Sequence, residues 1–221
     1  MSQIDTQLHH LKTEVTEMAL LVSSQISKSV VALIDFDKDL AREVIFNEKR
    51  VNAFELKVDK DCENIIALFN PVANDLRYVF STIKINYNFE RIGDNAEGIA
   101  QYVLQASQKF DDQLLVNCRL LEMLETVNQM ITDVCTAYIS DDPKLARTIF
   151  EMDSILNEIN KSSTGIIAEF IQKKSDNILD ALYVLTIIRK LERVGDHVTN
   201  IAEEVIFYVE AKVLKHGKKI M

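Results

Sequence analysis

Apolar residues recur along almost the whole chain at intervals of three and four, the spacing of one face of an α-helix. Leu8, Leu11, Val15, Met18, Val22, Ile26, Val30 and Leu33 form the first such stripe and predict a helix over about residues 3–34. Asp35-Phe36-Asp37 then offers an N-cap for a second helix over about 38–69, with Val51, Phe54, Val58, Cys62, Ile65 and Phe69 as its stripe. Asn70-Pro71 interrupts it, because a residue before proline is pushed out of the α region. A third helix follows to about residue 106, with Ile85, Ile92, Ala96, Ile99 and Val103 facing inward. Past the polar stretch Gln108–Gln113 the pattern resumes as a fourth helix over about 114–139. Asp142-Pro143 reads as N-cap and first helical residue of a fifth, ending near 173. Ser175-Asp176 caps a sixth, which reaches about 214 with Ile187, Leu191, Val194, Val198, Ile201 and Val205 as its packing face.

The six helices are two sets of three. Glu90-Arg91-Ile92-Gly93-Asp94-Asn95 returns 102 residues later as Glu192-Arg193-Val194-Gly195-Asp196-His197, and Ala41-Arg42 returns as Ala146-Arg147 at an offset of 105. The predicted fold is therefore all-α, a tandem repeat of two three-helix bundles built from six long antiparallel helices, with domains at 1–108 and 112–221. The short connection between them predicts packed rather than tethered domains.

Composition agrees. The 221 residues are 48% apolar with five Gly and two Pro, too few for strands and hairpins. No run approaches the 18 or more apolar residues of a membrane span, and no basic and then apolar leader opens the chain, so a cytoplasmic location is expected. Three cysteines, Cys62, Cys118 and Cys135, are widely spaced and odd in number, which predicts buried free thiols rather than disulfides or a zinc knuckle. A net charge of −9 argues against nucleic acid as a partner, although Lys212, Lys215, Lys218 and Lys219 form a basic C-terminal patch.

Candidate chemistry lies in lines of oxygen-bearing side chains. On the sixth helix, Glu192, Asp196, Asn200 and Glu203 are spaced by four, four and three and share one side. Glu90 and Asp94 repeat this on the third, where Gly98 and Gln101 stand at the places of Asn200 and Glu203. The second helix carries Glu48, Asn52, Glu55 and Asp59, and the fifth carries Asp153, Asn157 and Asn160. Acidic residues opposite an apolar stripe are also what a solvated helix face looks like, with Arg91 and Arg193 available to compensate them. Repetition of the motif, and a mid-helix glycine before each Asp at a cost of about 1 kcal/mol relative to Ala, favour a cation site with oxygen ligands. A ferritin-like di-iron centre lacks its Glu-x-x-His motif. His9, His10, His197 and His216 are scattered, none with a partner at ligand spacing, and His197 reads as a surface or interface residue. No phosphate loop, nucleophile elbow or kinase signature is present, so no enzymatic activity and no organic cofactor are expected.

Pro71-Val72-Ala73-Asn74-Asp75-Leu76-Arg77, Phe89-Glu90-Arg91-Ile92-Gly93-Asp94 and Leu191-Glu192-Arg193-Val194-Gly195-Asp196-His197, with Asn200-Ile201-Ala202-Glu203, resemble the PhoU family over nearly the whole chain. That resemblance implies a cytoplasmic regulator coupling the ATPase of a phosphate ABC transporter to a membrane histidine kinase, and holding the phosphate-starvation response off when phosphate is ample. It also implies a homodimer, membrane contact only through partners, and divalent or transition-metal clusters. The ligands map onto Glu48/Asn52 with Glu90/Asp94, and onto Asp153/Asn157 with Glu192/Asp196. Asn52 and Asn157 depart from the family's usual Asp and would weaken each cluster. Two other functions fit the residues: a carboxylate-ligated metalloprotein for storage or redox, and an accessory of a single-component phosphate permease. By ligand count, the second repeat should bind metal more tightly.

Overall fold

A computed structural model of the chain describes residues 2–174 and 178–214. It contains α1 (Gln3–Asp35), α2 (Lys38–Phe69), α3 (Ala73–Gln105), the short α4 (Asp112–Asn117), α5 (Leu120–Ser140), α6 (Pro143–Lys173) and α7 (Ile178–Glu210). Helices α1, α2 and α3 pack on one another as the first bundle, and α5, α6 and α7 as the second.

The apolar stripes become the core. Every residue of the first stripe from Leu11 to Leu33 is buried, and Leu8 packs partly against it. The stripes of α3 and α7 are buried throughout. By length and hydropathy α1 would suffice to cross a membrane, but half of its most apolar window is buried within the bundles, as a core helix requires. Cys62 and Cys118 are buried, Cys135 is partly so, and all three are free; burial pushes their thiols up to about 12, 11 and 12.

The helix starts follow their caps. Asp37 accepts hydrogen bonds from the Asp39 and Leu40 amides at 2.9 Å each, and Asp142 accepts from Lys144 and Leu145 at 2.8 and 3.2 Å. Asn70 closes α2 in the left-handed conformation (φ 47°) just before Pro71. The proposed cap Ser175-Asp176 lies outside the described residues, as do His216 and the C-terminal lysines beyond Lys212. Helix α7 stops at Glu210 rather than near 214, with Ala211 at φ 56°.

The fourth predicted helix is broken in two. Arg119 adopts φ 55°, at a cost of about 1 kcal/mol for a residue with a side chain. The turn lets Leu114 and Leu115 before it and Leu120 and Met123 after it all reach the core, which one straight helix would not allow. Ion pairs from the Arg119 guanidinium to Glu122 (2.6 Å) and Glu158 (2.9 Å) hold the turn.

The two bundles meet along α3 and α7, with α1 against α5 beside them. Polar contacts cross this seam: Ser81 donates to Glu204 at 3.0 Å, Lys84 pairs with Glu204 at 2.8 Å, and Ser27 donates to Asn128 at 3.1 Å. Tyr102 and Tyr183 meet across it with ring centroids 5.0 Å apart and ring planes tilted by 40°. Both central helices also carry an acidic motif, so the seam runs between the two candidate sites.

Candidate metal-binding sites

Each motif glycine faces a carboxylate from the neighbouring helix. A Cβ at Gly93 would lie 3.0 Å from Glu48 Oε2 and 3.0 Å from Val51 Cγ1; one at Gly195 would lie 3.0 Å from Asp153 Oδ1 and would overlap Leu156. Absence of a side chain therefore lets α2 and α6 lay a carboxylate and an aliphatic residue directly on the backbone of α3 and α7. This close approach is the physical reason for a glycine inside both helices.

In the first repeat the carboxylates converge on Glu48, only 5% exposed. Burial first, then Asp94, Glu97, Glu90 and Glu55, raise its pKa to about 7. Glu90 is also raised, by burial and then by Asp94. Arg91 partly compensates, donating to Asp94 Oδ2 at 2.8 Å and standing 3.4 Å from Glu90 Oε2, with its guanidinium over the Tyr87 ring. Asn52, one turn beyond Glu48, is exposed.

In the second repeat Asp153 occupies the place of Glu48. Burial and then Asp196 raise its pKa; Glu192 is raised by burial, then by Asp196. Desolvation raises the pKa of Asp196, against His197 and Arg193. Asn157 donates to Asp153 Oδ2 at 2.7 Å, so its amide nitrogen rather than its oxygen faces the carboxylate.

Not every predicted ligand joins these groups. Asn200 and Glu203 stand about 12 and 16 Å along the axis from Glu192 at 1.5 Å per residue, beyond the reach of one ion. Asn200 instead donates to Asn88 Oδ1 of α3 at 3.3 Å. Glu203 lines a groove of about 460 Å³ with Glu55 and Asp59 of the first repeat. His197 lies in the α3–α7 seam, Nδ1 at 3.0 Å from Asn88 Oδ1, with its pKa lowered chiefly by burial.

Two features escaped the sequence reading. Glu97 joins the carboxylates acting on Glu48, a membership signalled only by its position three residues after Asp94. His10, expected to lack a partner at ligand spacing, has one: Glu14, four residues on, lies 3.5 Å from its Nδ1, and Asp61 completes a cluster whose ligand atoms lie within 4.8 Å of one another. Lys57 already pairs with the buried Glu14 there.

The donor set suits a hard or borderline cation. Both Glu48 carboxylate oxygens, Glu90 Oε2 and Asp153 Oδ1 are buried without a hydrogen-bond partner, a costly state that a divalent ion would relieve. Among the described residues, no three of the predicted carboxylates already stand within 4.8 Å of one another, so chelation requires side-chain rotation.

Paired carboxylate lines along the second and third helices of two fused bundles define a class of helical tandem-repeat proteins with one acidic site per repeat. The sequence matches the PhoU domain over residues 15–103 and again over 120–205, and the chain belongs to the PhoU family. It is 30% identical over 212 residues to the phosphate-specific transport system accessory protein PhoU homolog 1 of Thermotoga maritima, covering 96% of this chain and 90% of that protein. To the phosphate-specific transport system accessory protein PhoU of Escherichia coli it is 32% identical over 214 residues, covering 97% and 88%. The crystal structure of PhoU from Pseudomonas aeruginosa superposes with a TM-score of 0.90 at 29% identity, covering 95% of this chain and all of that one.

Proposed function

We propose that the protein is a cytoplasmic, non-enzymatic accessory of phosphate uptake. In this reading it joins the ATPase of a phosphate ABC transporter to a membrane histidine kinase, acts as a homodimer, and keeps the starvation response off when phosphate is ample. The observation that carries the reading is the near full-length similarity to relatives named as accessory proteins of the phosphate-specific transport system. Preference for this over an accessory of a single-component permease rests on the same names.

The acidic lines fit divalent-cation sites within this role. Asp153, Glu192 and Asp196 would hold a cation in the second repeat, and Glu48, Glu90 and Asp94 in the first. Such an ion would supply positive charge to an otherwise repulsive surface, so that the helices carrying it present a neutralised face to a partner. The orphaned oxygens of Glu48 and Asp153 support this.

The regulatory reading is tested by deleting the gene and assaying alkaline phosphatase and phosphate uptake in high phosphate. Derepressed phosphatase is the expected result. Unchanged phosphatase together with unchanged uptake contradicts it.

A further inference from the structure

We propose that Lys190 is the resident counter-cation of the first acidic site: its ammonium, carried by the second repeat, sits over Gly98 beside Asp94 and Glu97 and lowers that site's affinity for a divalent cation. The proposal rests on the reading of the acidic lines as cation sites.

Gly98 is buried in the α3–α7 seam, and a Cβ there would overlap the Cε and Nζ of Lys190 and lie 3.3 Å from its Cδ. The end of the lysine therefore occupies the space a side chain would take on α3. Gly98 follows Glu97 directly and stands one helical turn from Asp94, on the same face. Lys190 is half-buried; burial and Arg193 act against its charge, whereas Asp94 and Glu97 favour it. Among the described residues it forms no ion pair within 4.0 Å. The carboxylates that favour it belong to the first repeat, although the lysine belongs to the second.

The seam shows the converse arrangement on its other side. By the 102-residue offset, Lys190 corresponds to Asn88 and Gly98 to Asn200. Asn88 of α3 meets Asn200 and His197 of α7, as Lys190 of α7 meets Gly98 of α3. Equivalent positions thus place an ammonium over Gly98 on one side of the seam and a neutral amide against His197 and Asn200 on the other. Gly98, which by sequence is only a missing ligand, is the notch that admits the cation.

The test is a titration of Mn²⁺ into the full chain, with the second site muted by Asp153→Asn and Asp196→Asn, followed by calorimetry. Lys190→Met in that background should raise Mn²⁺ affinity about ten-fold at low ionic strength, and the gain should shrink in high salt. Gly98→Ala, which displaces the lysine without removing it, should raise affinity in the same direction by a smaller factor, and it carries the test if Lys190→Met folds poorly. Equal affinity in parent, Lys190→Met and Gly98→Ala, with measurable binding in each, overturns the proposal while leaving the cation reading intact. Absence of Mn²⁺ binding in every variant and in the wild type overturns both.

Discussion

The two repeats share a backbone plan and differ in how they handle its charge. In the first, Arg91 lies across Tyr87 and reaches back to Glu90 and Asp94, while Lys190 arrives from the other bundle. In the second, Arg193 is exposed, and the residue equivalent to Tyr87 is Arg189, a like charge in place of an aromatic platform. The ion pairs of the described residues include none from Arg193 to its own motif. The first repeat therefore meets its carboxylates with an ion-paired arginine and a lysine from the other bundle, whereas in the second Arg193 and His197 act on Asp196 without a close ion pair among the described residues. The first repeat gathers more carboxylates around Glu48 than the motif alone implies, but also two cations.

The largest effect should come from the buried acid of the compensated repeat. In metal-free protein Glu48 has a pKa of about 7 against 4.5 unperturbed, so the folded state holds its proton where the unfolded state has lost it. Stability then falls as pH rises from about 4.5 to 7 and levels off above, by at most about 3 kcal/mol at 1.36 kcal/mol per pKa unit. Glu48→Gln should flatten that decline and stabilise the chelator-treated protein at pH 8. Urea melts of both proteins at pH 5 and pH 8 check this; an identical decline in the two would remove Glu48 as its source.

A smaller difference is expected at the motif glycines. Alanine at Gly195 must displace Leu156, whereas alanine at Gly93 meets Glu48 and Val51 at 3.0 Å. Overpacking costs about 1–3 kcal/mol and is offset by about 1 kcal/mol of helix propensity. Gly195→Ala should therefore destabilise by about 1 kcal/mol more than Gly93→Ala in thermal melts. The reverse order would mean that the α6–α7 contact is the looser one.

Much of the fold was legible in the sequence because helix periodicity and capping are local properties. The stripes from Leu11 to Leu33 and from Ile187 to Val205 are buried, and Asp37 and Asp142 cap as their positions suggest. Arg119 was not legible: its left-handed turn is imposed by tertiary burial on both sides, against local preference. At the candidate sites, pattern put Glu48 and Asp153 on the helices that the structure lays against Gly93 and Gly195. Asn200 and Glu203 share a side of α7 with Glu192 but lie about 12 and 16 Å along the axis from it, a separation that a shared helix face does not record. Lys190 was invisible for a different reason: its role depends on which helices of different repeats become neighbours, and no periodicity within one helix records that.

Titrating Mn²⁺ into the wild type, Asp94→Asn and Asp196→Asn asks whether the repeats are electrostatically unlike sites on one backbone plan. Each substitution removes one charge at nearly constant volume. Wild type should show two classes of site, with Asp196→Asn weakening the tighter class about ten-fold or more and Asp94→Asn leaving it intact, as affinity follows uncompensated carboxylate charge. Equal losses from the two variants, or no binding by the wild type, would mean that the two repeats do not differ in this way.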